Sequence, residues 1–282
     1  MKDIFDRLAA AWRGASDNNV GILAAGIAYY AFLALVPLLA SAVLGYGLFT
    51  GPETVARHIA ALAGMLPAAA ADLIGDQLAA VVATSSGQKG LGLLLALALA
   101  LVGARNGAAS IITGVSIAYD STARRSFVRG NLVALAITLG ALVGAGVVAG
   151  ILAVTAALES WAPEMYGAAA LLGKIASYAV LLGAGVAAAA TLYRRVVPDI
   201  TPGWREVLPG ALLAGIGWVL FTLGFGIYVA NFGNYNATYG SLGAVVVLLT
   251  WLYLVAYVLL LGAELNAVQP ERAKIAPQPA SA

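Results

Sequence analysis

The chain has 282 residues, of which 62% are hydrophobic and 10% are charged, and its mean hydropathy is +0.92. A soluble domain carries about 25% charged residues, so the composition excludes a water-soluble globule and predicts a polytopic membrane protein. With no cysteine and one histidine, disulfides, thiolate metal sites and histidine clusters are excluded, and a net charge of +2 is too small to indicate a nucleic-acid-binding surface.

The first 20 residues are polar and carry charges of both signs. Ile4, Phe5, Leu8 and Trp12 recur among them at helical spacing. This pattern predicts an amphipathic helix on the membrane surface. It does not indicate a cleaved signal peptide, because the apolar segment that follows is too long and further spans come after it.

The remaining apolar segments predict an all-α fold with six transmembrane helices. A helix rises about 1.5 Å per residue and must cross a hydrocarbon core of about 30 Å. The predicted spans lie at about 22–49, 90–115, 132–158, 171–193, 208–229 and 241–263. They belong to one transmembrane domain over residues 1–268, and the Pro- and Ala-rich residues 269–282 are predicted to be a disordered cytoplasmic tail.

Residues 52–89 differ from the spans because they retain charges. Two apolar stripes at helical spacing are separated by Pro67, which predicts an extracytoplasmic hairpin of two amphipathic helices. This hairpin either caps the helix bundle or contacts the membrane surface.

Basic residues are distributed unevenly over the predicted six-span topology. Twelve of the 15 Lys and Arg residues fall on the side that holds both termini, and Arg57, Lys89 and Lys174 fall on the other. The positive-inside rule therefore predicts cytoplasmic N- and C-termini. Such residues set topology and touch anionic lipid, so membrane lipids are the expected partners and nucleic acid is not.

Three parts of the chain resemble a known family. Residues 22–39 read ILAAGIAYYAFLALVPLL, the strings TLYRRVVPD and WREVLPGALLA lie within 191–214, and residues 239–267 read YGSLGAVVVLLTWLYLVAYVLLLGAELNA. Over about residues 5–268 the sequence resembles the YihY/virulence factor BrkB family of bacterial inner-membrane proteins. The resemblance implies localisation in the bacterial inner membrane and six spans with both termini in the cytoplasm. Some members carry a tRNA-processing ribonuclease label, and others are associated with moving lipids or other envelope components.

The acidic residues give no support to a nuclease. A metal-dependent nuclease needs clustered carboxylate and histidine ligands that hold divalent ions near a phosphate. Here the acidic residues are scattered singly, and the sequence contains no nucleophile motif and no phosphate-binding loop. We therefore expect no enzymatic activity, no cofactor and no metal site.

Polar residues at membrane depth define a candidate substrate path, because placing them in hydrocarbon is costly. The apolar run 91–104 is shorter than the ~30 Å core, so either the second span is short or Arg105 and Asn106 lie in the inner half of the membrane. Arg105 either snorkels to the interface or pairs across helices. Glu264, at the cytoplasmic end of the last span, is its predicted partner, and Asn266 extends the same polar cluster.

Aromatic and amide residues either extend this path or serve packing. Tyr29 and Tyr30 lie in the first span, and adjacent helical residues point about 100° apart, so at least one should face the bundle. Pro37 is expected to kink the same span and free a carbonyl. The uncharged connector after the fifth span forms either a turn or a rim that contacts sugar or lipid, through Asn231, Tyr235 and Tyr239.

The leading functional hypothesis is passage of a lipid or another amphipathic envelope molecule across or out of the inner membrane. A scaffold that anchors envelope-assembly proteins without transporting anything is the alternative, and a tRNA-processing ribonuclease is the third. A cavity lined by Tyr29, Tyr30, Arg105 and Asn106 favours transport, and a solid bundle favours the scaffold.

Overall fold

The computed structural model describes residues 2–47, 86–121, 129–137, 140, 168–197, 199–231 and 241–268. In these ranges all regular secondary structure is helical, which confirms the all-α prediction. We number the helices in chain order as α1 (Lys2–Asp17), α2 (Val20–Gly47), α3 (Ser86–Ala118), α4 (129–137), α5 (Ala168–Val196), α6 (Trp204–Asn231) and α7 (Ser241–Ala267).

Most helices extend a few residues beyond the predicted spans. α3 begins at Ser86, so residues 86–89 are helical and continuous with the apolar segment, where the sequence analysis assigned them to the hairpin. The other predicted hairpin residues lie outside the described ranges. α6 begins at Trp204, before Pro209, because the Gly203 carbonyl accepts the amides of Glu206 and Val207 and starts the helix there.

Within the described residues, three helical segments are long and apolar enough to cross a membrane: Ala98–Ala118, Trp204–Tyr228 and Val245–Ala267. Ile4–Asp17 and Val20–Leu35 meet at an angle of 69° and add a fourth candidate if the pair is counted as one span. Large apolar side chains are exposed along these helices, as with Ile22 (73%) and Ile227 (66%). The chain is therefore a multi-pass membrane protein, and six spans stay a prediction.

The described chain divides into two compact units. Unit 1 comprises Met1–Ala24, Ala108–Phe221 and Leu254–Ala282. Small residues such as Ala11, Ala211 and Ala263 are buried in it beside the fully buried Tyr193 and Leu260. Small side chains let helix backbones approach closely. In a bilayer, where burying apolar surface between helices gives little gain, the van der Waals contacts of such close packing hold the helices together.

Unit 2 comprises Ala25–Gly107 and Thr222–Tyr253. Here α2 and α3 pack through Gly103, where an added Cβ would lie 2.9 Å from the Ala34 Cα atom, and through Gly107, where it would lie 3.7 Å from the Tyr30 Cβ atom. α6 and α7 are joined in the same unit by a hydrogen bond of 3.4 Å from the Trp251 indole to the Thr222 hydroxyl. Among the described residues of unit 2, the closest approach of α2 and α3 that a glycine permits is at Gly103.

We predict that Gly103→Ala destabilises the protein, because its methyl group meets the backbone of Ala34 and the two helices must separate. The expected loss is about 1–3 kcal/mol, measured as a lower Tm in detergent. Gly26→Ala on α2 is the matched control, since a Cβ there meets nothing within 4 Å among the described atoms, and it should hold or raise the Tm through its better helix propensity. Equal Tm values for the two variants would contradict the proposed packing.

Candidate functional site

Glu264 is a buried acidic residue near the end of α7. It is 3% exposed, and its Oε1 atom accepts a hydrogen bond of 2.8 Å from the Asn18 side-chain amide, in the turn between α1 and α2. Its Oε2 atom lies over Gly14, where an added Cβ would approach it to 2.7 Å. Gly14 therefore leaves room for a carboxylate that a larger residue would crowd.

The surroundings of Glu264 are acidic. Asp17 and Asp120 both act on it electrostatically, and the described part of the chain supplies Asn18 as its hydrogen-bond donor. In that same part, no three His, Asp or Glu side chains are grouped so that they could hold a metal ion. A buried polar group is tolerated when it is hydrogen-bonded, so the Asn18 amide is the interaction that secures Glu264 in the fold.

Asn266 joins α7 to α6. It is 1% exposed; its Oδ1 atom accepts the Gly210 backbone N–H at 2.8 Å, and its Nδ2 atom donates to the Val207 carbonyl at 3.2 Å. Gly210 follows Pro209, a residue that interrupts the helix hydrogen-bond ladder. The asparagine amide thus satisfies both a donor and an acceptor of the α6 backbone close to this interruption.

The backbones of α6 and α7 touch beside Asn266. A Cβ on Gly210 would overlap the Gly262 carbonyl, and one on Gly262 would overlap the Gly210 carbonyl. Tyr193 of α5 completes the contact: its buried hydroxyl donates to the Leu259 carbonyl at 2.5 Å and lies 2.5 Å from where a Gly262 Cβ would be. Three helices therefore meet at one point that only glycine can occupy on α6 and α7.

Arg105 and Asn106 lie within the candidate span Ala98–Ala118, and their placement in the inner half of the membrane stays a prediction. The Arg105 guanidinium is exposed and donates from Nη1 to the Asn106 Oδ1 atom at 2.9 Å. Gly103 and Gly107, two residues to either side, face α2. Two residues correspond to about 200° of helix rotation, so Arg105 lies on the side of α3 that is turned away from α2.

Tyr29 and Tyr30 contact each other at the same level of α2 that packs on Gly107. Their ring centroids are 5.6 Å apart at an interplanar angle of 64°. Tyr29 is 54% exposed, whereas Tyr30 is half-buried beside Gly107, the neighbour of Asn106 in sequence. Unit 2 therefore brings Tyr30 close to the helix segment that carries Arg105 and Asn106.

The other predicted site residues have different outcomes. Pro37 is half-buried inside the continuous helix α2, and Asn231 is the last residue of α6. Tyr235 and Tyr239 lie outside the described ranges. Glu264 and Asn266 belong to unit 1 and Arg105 to unit 2, and pairing of Arg105 with Glu264 stays a prediction.

Sequence reasoning missed the partners of Glu264 and Asn266. Gly14 belongs to a set of small residues on α1 that includes the buried Ala11 and Ala15, and Asn18 continues the same spacing of three and four into the turn after α1. That spacing marks a second face of α1 beside the large apolar residues, and it was the available signal. Gly210 and Gly262 carry no such signal, because their contact joins distant parts of the chain.

These features define a class of protein: a multi-pass helical membrane protein whose helices are joined by small residues and buried amides. The chain belongs to the virulence factor BrkB family, whose sequence model matches residues 11–282. This membership confirms the resemblance seen in the sequence.

The chain is also similar to a protein of Bacillus subtilis (strain 168) named "Putative ribonuclease-like protein YfkH". The two are 29% identical over 192 residues, which cover 62% of this chain and 65% of that protein. The match thus spans just under two thirds of the relative's length. No solved structure matches the chain.

We predict that Asn266→Leu destabilises unit 1, because the Gly210 amide and the Val207 carbonyl lose a partner away from water. The expected loss is about 1–3 kcal/mol, visible as a lower Tm in detergent. Thr250→Val is the matched control on the same helix, since among the described residues the exposed Thr250 hydroxyl bonds only the Val246 carbonyl of its own turn, at 2.8 Å. If both variants had the same Tm as the wild type, the hydrogen bonds of Asn266 between α6 and α7 would not contribute to stability as predicted.

We predict that Glu264→Gln keeps the Tm at or above that of the wild type. Glutamine retains an acceptor oxygen for Asn18 and removes the charge that Asp17 and Asp120 repel. Glu264→Leu removes the acceptor and should lower the stability by about 1–3 kcal/mol. If the glutamine variant melted as low as the leucine variant, the charge itself would be required and this interpretation of Glu264 would be wrong.

Proposed function

We propose that this protein moves an anionic lipid, or another amphipathic envelope molecule with an anionic group, across or out of the bacterial inner membrane. The proposed topology has six spans, cytoplasmic termini and an extracytoplasmic hairpin over about residues 52–89. Its support is the uneven distribution of Lys and Arg over the chain. In this proposal the protein is not an enzyme, and membrane lipids are its partners.

The observation that carries the proposal is Arg105, a charged and exposed side chain within a candidate membrane span. An arginine at membrane depth costs several kcal/mol unless it meets water, an interface or an opposite charge. Counted at about 1.5 Å per residue, Arg105 lies about 10 Å from the first residue of Ala98–Ala118 and about 20 Å from its last. Its position is therefore well inside that span.

The chemistry of Arg105 suits a phosphate or carboxylate headgroup. A guanidinium presents a planar set of donors that pairs with such groups through two parallel hydrogen bonds. The bond to Asn106 uses Nη1 and fixes the orientation of the guanidinium plane. Because Gly103 and Gly107 hold the opposite side of α3 against α2, the guanidinium is directed to where a lipid headgroup could reach it.

Tyr29 and Tyr30 give unit 2 an aromatic and hydroxyl-bearing surface beside this segment. Tyrosine combines an apolar ring with a polar tip, and it suits a path on which a molecule passes between oil and water. The exposed Tyr29 ring packs edge-on against Tyr30, which in turn lies beside Gly107. These contacts support a path along this part of unit 2.

The test is a lipid-translocation assay in proteoliposomes of phosphatidylethanolamine and phosphatidylglycerol with trace headgroup-labelled phosphatidylglycerol. Dithionite bleaches label in the outer leaflet only, so a translocating protein allows bleaching of the inner pool. We expect the wild type to translocate and Arg105→Ala to slow the rate by about tenfold, the effect of losing about 1.4 kcal/mol of a charge-assisted interaction.

Two variants calibrate the result. Arg105→Lys keeps the charge but loses the planar donor set, so we expect an intermediate rate. Arg13→Ala removes an exposed arginine of α1 whose Nε bonds only the Ala9 carbonyl of its own helix, and it should match the wild type. Wild-type rates equal to those of empty liposomes would refute transport. Cleavage of added tRNA by the same preparation would favour the activity in the relative's name.

A further inference from the structure

The junction between α5 and α6 carries an aromatic and an arginine that are stacked on each other. The Arg194 guanidinium carbon lies 4.5 Å from the centroid of the Trp204 ring, and Trp204 is 53% exposed. Arg195 follows Arg194 on α5 and Arg205 follows Trp204 on α6, and both side chains are exposed. Stacking on the ring holds one guanidinium plane in place and leaves its edge to form hydrogen bonds.

An exposed apolar stripe starts at the same tryptophan. Leu208 (45%), Leu212 (40%) and Ile216 (47%) follow Trp204 along α6 at intervals of four residues. At about 100° per residue the four positions stay within about 120° of arc on one side of the helix. Trp204 is also the first residue of the candidate span Trp204–Tyr228, where an amphipathic ring is expected to mark the membrane–water interface.

The length of the stripe matches one leaflet. From Trp204 to Ile216 the helix rises about 18 Å, and half of a hydrocarbon core is about 15 Å. An elongated molecule with a charged end at Arg194 and an apolar body of that length is a membrane phospholipid. A soluble anion would use only the arginine end, and a peptide would gain nothing from a stripe that faces hydrocarbon.

Two acidic residues of this junction have contacts of their own. Asp199 accepts a hydrogen bond of 2.5 Å from the Ser121 hydroxyl, and the Glu206 carboxylate turns back over Gly203, 3.3 Å from where a Cβ would be. The Nε atom of Arg194 is buried and has no hydrogen-bond partner among the described residues. An anionic oxygen at this position would give the buried Nε–H donor a hydrogen-bond partner.

We propose that Arg194, Trp204 and the stripe Leu208–Leu212–Ile216 form a binding site for a resident anionic phospholipid at the membrane interface. The phosphate meets the guanidinium edge of Arg194 with Arg205 beside it, and one acyl chain lies along the stripe. This site lies in unit 1 and does not depend on Arg105 or on any transport activity.

The experiment measures lipid-dependent stabilisation of the full chain in a neutral detergent. Phosphatidylglycerol, phosphatidylcholine and inorganic phosphate are titrated separately, with Tm and native mass spectrometry as readouts. We expect phosphatidylglycerol to raise the Tm and to remain bound as one retained lipid, and the other two probes to leave the Tm unchanged. A full shift with inorganic phosphate would identify an anion site without a lipid, and an equal shift with phosphatidylcholine would remove the role of charge. Either result overturns the proposal.

Variants separate the two ends of the site. Arg194→Ala should raise the phosphatidylglycerol concentration at half-maximal shift by about tenfold, and Trp204→Ala should also raise it because the guanidinium loses its platform. Leu212→Gln weakens the apolar end while the charge remains. Arg13→Ala is the charge-matched control and should bind like the wild type. Since Trp204 and Leu212 are exposed, their variants should fold even if Arg194→Ala does not, and wild-type binding by both would overturn the proposal.

Discussion

The contact between α6 and α7 at Gly210 and Gly262 sets the geometry of unit 1. Two helix backbones meet there with no side chain between them, and the adjacent Asn266 amide bonds the Gly210 N–H at 2.8 Å. Inside a bilayer every backbone polar group must find its partner within the protein. The Asn266 amide adds two hydrogen bonds from α7 to the α6 backbone beside this contact, at the Gly210 N–H and the Val207 carbonyl. Tyr193 and Glu264 lie around the same end of α7.

The polar groups of the two units serve different purposes. In unit 1 the side chains of Asn266, Glu264 and Tyr193 are buried and hydrogen-bonded to other helices, which is the arrangement of groups that hold a structure together. In unit 2 the Arg105 side chain is exposed on a candidate span and bonds its own neighbour in sequence.

Hydropathy was sufficient to predict the helices but not to predict which residues join one helix to another. Long apolar segments predicted the helical class. The cost of polar groups in hydrocarbon drew attention to Glu264 and Asn266, which are buried and hydrogen-bonded in the structure, while their predicted role on a substrate path stays a prediction. Their partners could not be predicted, since Asn18, Gly14 and Gly210 differ little from ordinary turn or small residues until tertiary packing brings them into contact. The early start of α6 was missed for a different reason, because residues 204–207, which include Arg205, were assigned to the loop before the apolar segment.

The hydrogen bond between Asn18 and Glu264 joins residues that are 246 positions apart. At a synthesis rate of about 5–20 residues per second, roughly 12–50 s separate the emergence of the two partners from the ribosome. During that interval the Asn18 amide lacks its hydrogen-bond acceptor on α7, the Glu264 carboxylate. The hydrogen bond that joins α7 to the turn after α1 can therefore form only after α7 has been inserted.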